Sequence, residues 1–351
     1  MLIVLTPFHI RPRLFFKKGK TVFNKKLLNI TEKILNDINA SISYKDACQV
    51  ASQPENTMDL LACSRKIRER YKKNNIFTCS IINAKSGSCS EDCAFCAQSS
   101  QHSTGISVYP LLSREKIVEN ALKMQQAGAT KYSMVTSGFS PTPKNLDILC
   151  GAASTIYEKT DLKICASLGV LTEPMARQLK ESGITTYHHN LETARSYFGQ
   201  VCTTHDYDDD IQTVKIASNA GLKVCCGGIL GLGESWDMRV ELAFTLKELH
   251  VDSIPLNFLN PIPGTKMGNR SLLPPMEALK SIAVFRLINP QKDITICGGR
   301  ELTLGDYQSW VFMAGANGLM IGDYLTTEGR NAGNDIDMIK KSGLEVSLDG
   351  V

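Results

Sequence analysis

From residue 74 onward, short apolar runs alternate with amphipathic helical patterns eight times within about 260 residues. Strand-like runs fall at 76–82, 131–135, 162–167, 185–190, 223–230, 253–259, 293–297 and 318–324. Helical patterns between them include 115–127, 174–182, 207–220, 236–249, 275–287 and the stretch around 307–314. Thr172-Glu173-Pro174 reads as a helix opening, with a cap residue and an early proline. Gly128, Gly183 and Gly221 each stand between a helix end and the next strand, where a left-handed C-cap suits glycine. Eight such units in this length predict an α/β fold, a (β/α)8 TIM-type barrel, over an open doubly wound sheet. That architecture places chemistry at the C-terminal ends of its strands.

Just after the first strand comes Cys89-Ser90-Glu91-Asp92-Cys93-Ala94-Phe95-Cys96, with spacing Cys-x3-Cys-x2-Cys. A loop this short can wrap three thiolates round one centre, and thiolates select zinc, copper(I) or iron-sulfur. A structural zinc site wants a fourth ligand; His102 is the nearest candidate and completes no zinc-like pair. Three ligands and a vacant corner suit a [4Fe-4S] cluster with one exchangeable position. Zinc and a disulfide loop are the other readings. The spacing, with an aromatic before the last cysteine, resembles the radical S-adenosylmethionine (SAM) enzymes. In that superfamily the open iron binds SAM, which is cleaved reductively to methionine and a 5′-deoxyadenosyl radical.

Composition narrows the class. Hydrophobic content of 43% and charged content of 21% are ordinary for a globular chain, and a net charge of +4 is too weak to imply nucleic-acid binding. No apolar run approaches the roughly 18 residues of a membrane span. Twelve cysteines in 351 residues are too dilute for a secreted disulfide scaffold, which favours metal binding in a reducing compartment. Residues 1–26 are basic, with no acid before Glu32, and read as an unstructured or targeting extension. A cytoplasmic location is expected, or the mitochondrial matrix if that stretch is a presequence. Residues 27–73 read as a helical segment, with an Ile30, Ile34, Ile38 stripe and a start capped by Ser43 and Asp46. The barrel is expected over 74–345, leaving 346–351 as a tail.

The strand ends carry the candidate site. Alternation puts His188, Asn190 and Glu192 on one side of the fourth strand. Cys165, Cys225 and Cys297 lie on strands three, five and seven, and inward residues of alternate strands share a layer, so these three are expected to converge. Cys226 has the opposite parity and needs a bulge or strand end to join them. Cys48, Cys63, Cys79, Cys150 and Cys202 lack such a setting and read as ordinary small side chains. Arg300, after Gly298-Gly299, either offsets cluster charge or forms a rim salt bridge. Asn257 offers an amide suited to a urea or amide substrate. The loop with Gly231 and Gly233 is not a dinucleotide fingerprint and reads as a close approach to the adenosyl part of SAM.

Together these pieces resemble the biotin synthases over about residues 40–345. The matching stretches are Cys89 to Ser99, Tyr187-His188-His189-Asn190-Leu191-Glu192-Thr193, Gly221 to Cys225, Gly298-Gly299-Arg300-Glu301 and Phe312 to Asn317. The resemblance implies a homodimeric barrel that inserts sulfur into dethiobiotin, reduced by flavodoxin or ferredoxin. It implies a SAM cluster on Cys89, Cys93 and Cys96, with SAM and substrate contacts from Asn190 and Glu192, the latter where the family commonly has Asp. Asn257 matches a residue near the ureido ring. A second, auxiliary cluster supplies the sulfur; Cys165 and Cys225 match two of its cysteines and Arg300 its arginine. The third cysteine is absent, because Ser133 stands in its place. Cys226 and Cys297 are gained, so the reading is a rebuilt auxiliary site on Cys165, Cys225, Cys226 and Cys297, [4Fe-4S]-like or carrying an extra sulfide. Other radical SAM enzymes of the branch, such as a hydrogenase maturase or a mutase, are the enzymatic alternative. A non-catalytic iron-sulfur or zinc protein is the alternative from another class.

Overall fold

Parallel strands close into a ring in the computed structural model, which describes residues 23–347. The strands are β1 (Asn75–Lys85), β2 (Lys131–Thr136), β3 (Lys163–Ser167), β4 (Thr186–His188), β5 (Lys223–Cys225), β6 (Gly228–Leu230), β7 (Ser253–Phe258), β8 (Asp293–Ile296), β9 (Gly318–Met320) and β10 (Glu345–Val346). Closure comes from β1 beside β9, with Phe77, Thr78 and Cys79 opposite Gly318, Leu319 and Met320. β5 and β6 form one stave, since both pair with β7 in the same register. The ring therefore has eight staves, and β10 lies outside it against the start of β1. Following the register once round returns to β1 eight residues away, the shear of a (β/α)8 barrel.

The expected eighth strand over 318–324 is shorter, because Gly322 turns the chain at φ 79°. The expected continuous strand over 223–230 breaks at Cys226-Gly227. There the Gly227 N–H donates to the Asn190 side chain (3.1 Å) instead of continuing the ladder. A Cβ on Gly227 would lie 1.9 Å from the Pro255 carbonyl oxygen, so only glycine fits this break.

Helices α1 (Lys25–Asn36), α2 (Tyr44–Ser52) and α3 (Thr57–Lys72) precede the barrel. Ser43 caps α2 as expected, accepting from the Asp46 N–H while its hydroxyl donates to the Asp46 carboxylate. The isoleucine stripe stops at Ile34, since α1 ends at Asn36 and Ile38 is 60% exposed. Round the barrel lie α4 (Arg114–Gln126), α5 (Pro143–Lys159), α6 (Glu173–Glu181), α7 (Arg195–Phe198), α8 (Tyr207–Asn219), α9 (Trp236–Glu248), α10 (Pro275–Ile288), α11 (Arg300–Leu304), α12 (Trp310–Met313) and α13 (Ala332–Lys341). Gly128, Gly183 and Gly221 have φ of 97°, 93° and 78°, the left-handed stops expected of them. α10 is buried on every side from Ala278 to Ile288 because α2, α3 and α9 pack over it. Lys72 at the end of α3 reaches Asp293 (2.9 Å), with both side chains almost wholly buried. Among the described residues no helix is long and apolar enough to cross a membrane. The expected basic extension over 1–26 lies, but for its last four residues, outside the described residues.

Candidate active site

A cavity of about 440 Å³ occupies the barrel interior and opens beneath the loop that follows β1. Gly87 and Ser88 both adopt left-handed backbone (φ 74° and 51°) and turn the chain across the mouth. The loop is then pinned on both sides. The Cys89 N–H donates to the Gln98 carbonyl, the Ser100 N–H to the Cys89 carbonyl, and the Ala94 N–H to the Val201 carbonyl (2.7 Å). Cys89, Cys93 and Cys96 all face the cavity. Burial pushes the Cys96 thiol up to about 11, helped by Cys89 and Glu192, so without metal it is a neutral thiol. His102 does not line the cavity with the three thiols; its Nδ1 bonds the Cys96 carbonyl oxygen at 2.8 Å. Three thiols on one pinned loop, above an open cavity, fit an iron-sulfur cluster with one exchangeable position.

Asn190 and Glu192 follow β4 and line the same cavity. Asn190 is fixed by the Gly227 N–H, and its Nδ2 lies 3.3 Å from a Glu192 carboxylate oxygen. Glu192 is itself left-handed (φ 60°), and its carbonyl accepts from Ile229 N–H. A Cβ on Gly228 would come within 2.4 Å of that carbonyl oxygen, so this glycine permits the turn. Burial, then the nearby Asp210, raises the Glu192 carboxyl from 4.5 to about 8. Burial likewise lowers His188 to about 4, leaving it a neutral imidazole.

The Glu192 shift has a measurable consequence. A carboxyl raised by folding stabilises the metal-free protein fully below its unfolded value, and that contribution is lost as pH rises through about 8. Glu192→Gln is therefore expected to flatten the decline in the urea midpoint of metal-free protein across that window. Identical pH profiles for variant and wild type would contradict it.

Asn257 lines the cavity from β7; its Oδ1 accepts from the Gly298 N–H (3.0 Å), and its Nδ2 makes only a 3.4 Å contact to the Gly228 carbonyl. Gly231 and Gly233 do not meet the expectation of a ligand-cradling loop. Their N–H groups donate to the Glu234 carboxylate (2.8 and 3.0 Å), which also pairs with Arg239 at 2.7 Å. Neither lines the cavity. Arg300 is fully buried, but its two terminal nitrogens are committed to Asp335, Glu301 and Gln308. It does not line the cavity, its charge lies near enough to Cys297 to favour that thiol's ionised form, and its Nε is buried with no hydrogen-bond partner.

Lower in the barrel Cys165, Cys225 and Cys297 line the cavity. Cys165 and Cys225 share a layer, while the third stave of that set contributes Thr295 and Cys297 stands one layer higher. Cys226 does not join them. It is fully buried in the apolar core outside the ring, close enough to Tyr207 of α8 to disfavour its ionisation. The break in the stave does not rotate it inward.

Two cysteines that the sequence reading set aside are at the site. Cys79 lines the lower cavity from β1. The Cys202 Sγ lies 3.8 Å from the Cys93 Sγ and 3.3 Å from the His205 Nδ1, and His205 pairs with Glu91 at 2.7 Å. Glu91, Cys202 and His205 offer ligand atoms within 4.8 Å of one another. Their mutual hydrogen bonds, with Asp92 accepting from Thr203 N–H and paired to Lys266, brace the outer side of the cysteine loop. Neither cysteine carried a local signal; Cys202 is separated from the loop by more than a hundred residues.

Comparison with known proteins names the class. The family model described as the radical SAM superfamily matches residues 85–246, so with this fold and cysteine loop the chain is a radical SAM enzyme. A second, the biotin and thiamin synthesis associated domain, matches 255–345. Biotin synthase of Syntrophus aciditrophicus is 55% identical over 316 residues, 90% of this chain and 97% of that protein. Biotin synthase of Nitratidesulfovibrio vulgaris (strain DSM 19637 / Miyazaki F) is 54% identical over 315 residues, 87% of this chain and 86% of that one. The chain belongs to the biotin synthase family, and its activity is that of a radical SAM sulfurtransferase. Methylornithine synthase, at 19% identity, shares the fold with a TM-score of 0.78 over 91% of this chain and 97% of that one. HydG, a maturase of the [FeFe]-hydrogenase, does so at 18% identity with a TM-score of 0.78, over 93% and 76%.

Proposed function

We propose that this enzyme converts dethiobiotin to biotin, drawing sulfur from an auxiliary iron-sulfur cluster held low in the barrel. The observation that carries the reading is one cavity with thiols at two levels: Cys89, Cys93 and Cys96 at the mouth, and strand-borne cysteines beneath them. When bound, the mouth cluster with SAM supplies the radical that takes hydrogen from carbon, and the lower cluster supplies the sulfur. The chain's part is placement. Asn190, locked by the Gly227 N–H, and Glu192 on its left-handed turn would present an amide and a carboxyl to SAM, and Asn190 to the substrate as well. The Nδ2 of Asn257, loosely held at 3.4 Å, is available to a ureido carbonyl. Phe95, Ile229 and Met320 give the cavity apolar walls suited to the carbon chain of the substrate. No protein acid or base is assigned. Flavodoxin or ferredoxin as electron donor, and a homodimer, complete the reading.

The test is anaerobic reconstitution followed by turnover of dethiobiotin with SAM and a low-potential reductant. The expected result is biotin, with more than about six irons per chain. About six irons would favour a [2Fe-2S] auxiliary cluster. About four, or SAM cleavage without biotin, would overturn the reading in favour of another radical SAM reaction.

A further inference from the structure

Three facts about the lower cavity converge on a residue with no assigned role. The first is its place in the barrel. Register carries Cys79 across β2 to Lys163 of β3, and the tilt of a shear-eight barrel advances a layer by two residues over two staves, to Cys165. The same step carries Cys165 to Cys225, Cys225 to Thr295, and Thr295 back to Cys79. Three of the four positions in one interior layer are thus cysteines. Cys297, two residues beyond Thr295, stands about 5 Å higher on the fourth odd stave. The second fact is a shared space: Cys79, Cys165, Cys225 and Cys297 all line the same cavity. The third is what flanks the layer. Below it Lys131, the register neighbour of Cys79, presents an ammonium 3.6 Å from the Phe77 ring centre and 3.7 Å from Asp293. Above it the Ser133 hydroxyl is buried with no hydrogen-bond partner.

We infer that Cys79, with Cys165, Cys225 and Cys297, holds the auxiliary cluster, and that Cys226 does not. The inference rests on the auxiliary-cluster reading above. Each quadrant of the barrel contributes one thiol to the same cavity, which is the donor set a cuboidal cluster with one protein ligand per iron requires. Cys79 thereby restores on β1 the thiolate that Ser133 fails to provide on β2. Lys131 supplies positive charge beneath the cluster, and Arg300 supplies it beside Cys297. Cys226, facing the opposite side of its stave into the apolar core, is a packing residue.

The test compares wild type, Cys79→Ala, Cys79→Ser and Cys226→Ala after anaerobic reconstitution, by iron and acid-labile sulfide content and Mössbauer spectra. Reductive SAM cleavage serves as the internal check that each barrel is folded and its mouth cluster intact. The serine variant, almost the size of cysteine, guards against collapse of the alanine one. Both Cys79 variants are expected to lose the iron above about four per chain while still cleaving SAM, and Cys226→Ala to match wild type. Wild-type iron and spectra in either SAM-cleaving Cys79 variant, or iron loss in Cys226→Ala, would overturn the assignment. A wild type holding only about four irons would instead overturn the auxiliary cluster itself, and the assignment with it.

Discussion

Cys96→Ala is expected to abolish reductive SAM cleavage, with 5′-deoxyadenosine formation falling by more than about a thousandfold. The reasoning is from ligand count. The loop offers three thiols; of the two imidazoles beside it, His102 is tied by Nδ1 to the Cys96 carbonyl oxygen and His205 is paired with Glu91 and Asp210. Removing a group that merely orients a ligand costs about 10–100-fold in metal affinity or activity, so removing one of three ligands costs more. Cys202→Ala is the informative companion. Its sulfur lies 3.8 Å from Cys93 and bonds His205, but the loop is pinned independently by backbone bonds at Cys89, Ala94 and Ser100. That variant is expected to lose no more than about 100-fold. The readouts are 5′-deoxyadenosine yield and the EPR signal of the reduced cluster. A Cys96→Ala protein that retained both would remove this loop from the role given to it.

The contrast between Cys96 and Cys202 also shows where sequence reasoning stopped. Ligands grouped on one loop advertise themselves through spacing, and strands advertise themselves through apolar runs punctuated by Gly128, Gly183 and Gly221. Contacts made by closing the ring do not. Cys79 became meaningful only once register and shear placed it level with Cys165 and Cys225. Parity correctly set Cys226 apart from Cys225, yet whether a bulge rescued it depended on Asn190 taking the Gly227 N–H. The Gly231 and Gly233 loop misled for a related reason. Glycine-rich turns free backbone donors, and here Glu234, one residue further on, captures them before any ligand can.

Arg300 is the other residue whose chemistry depends on a distant partner, and it yields the largest expected stability effect. Its Nη2 lies 2.8 Å and its Nη1 3.2 Å from the Asp335 oxygens, and both side chains are wholly buried. Glu301 at 3.0 Å and Gln308 at 2.5 Å take the remaining donors of those nitrogens, and Tyr324 donates to Glu301 from the cavity wall. Removing one member of a buried pair strands the other's charge at a cost of about 3–5 kcal/mol. Asp335→Ala is therefore expected to lower unfolding free energy by that amount in metal-free protein, read from urea denaturation. Replacing both charges, as in Arg300→Met with Asp335→Leu, is expected to recover most of the loss, since apolar substitutes of similar volume often match a buried pair. The same double variant separates two roles for the arginine. With its terminal nitrogens committed to Asp335, Glu301 and Gln308, Arg300 is expected to tune the lower cluster by charge and not to bind it. The double variant should then keep its iron content while the Mössbauer signature of the cluster beside Cys297 shifts. Loss of the auxiliary iron from a double variant that is otherwise stably folded would instead make Arg300 a ligand, and would mean that its guanidinium leaves Asp335 when the cluster is bound.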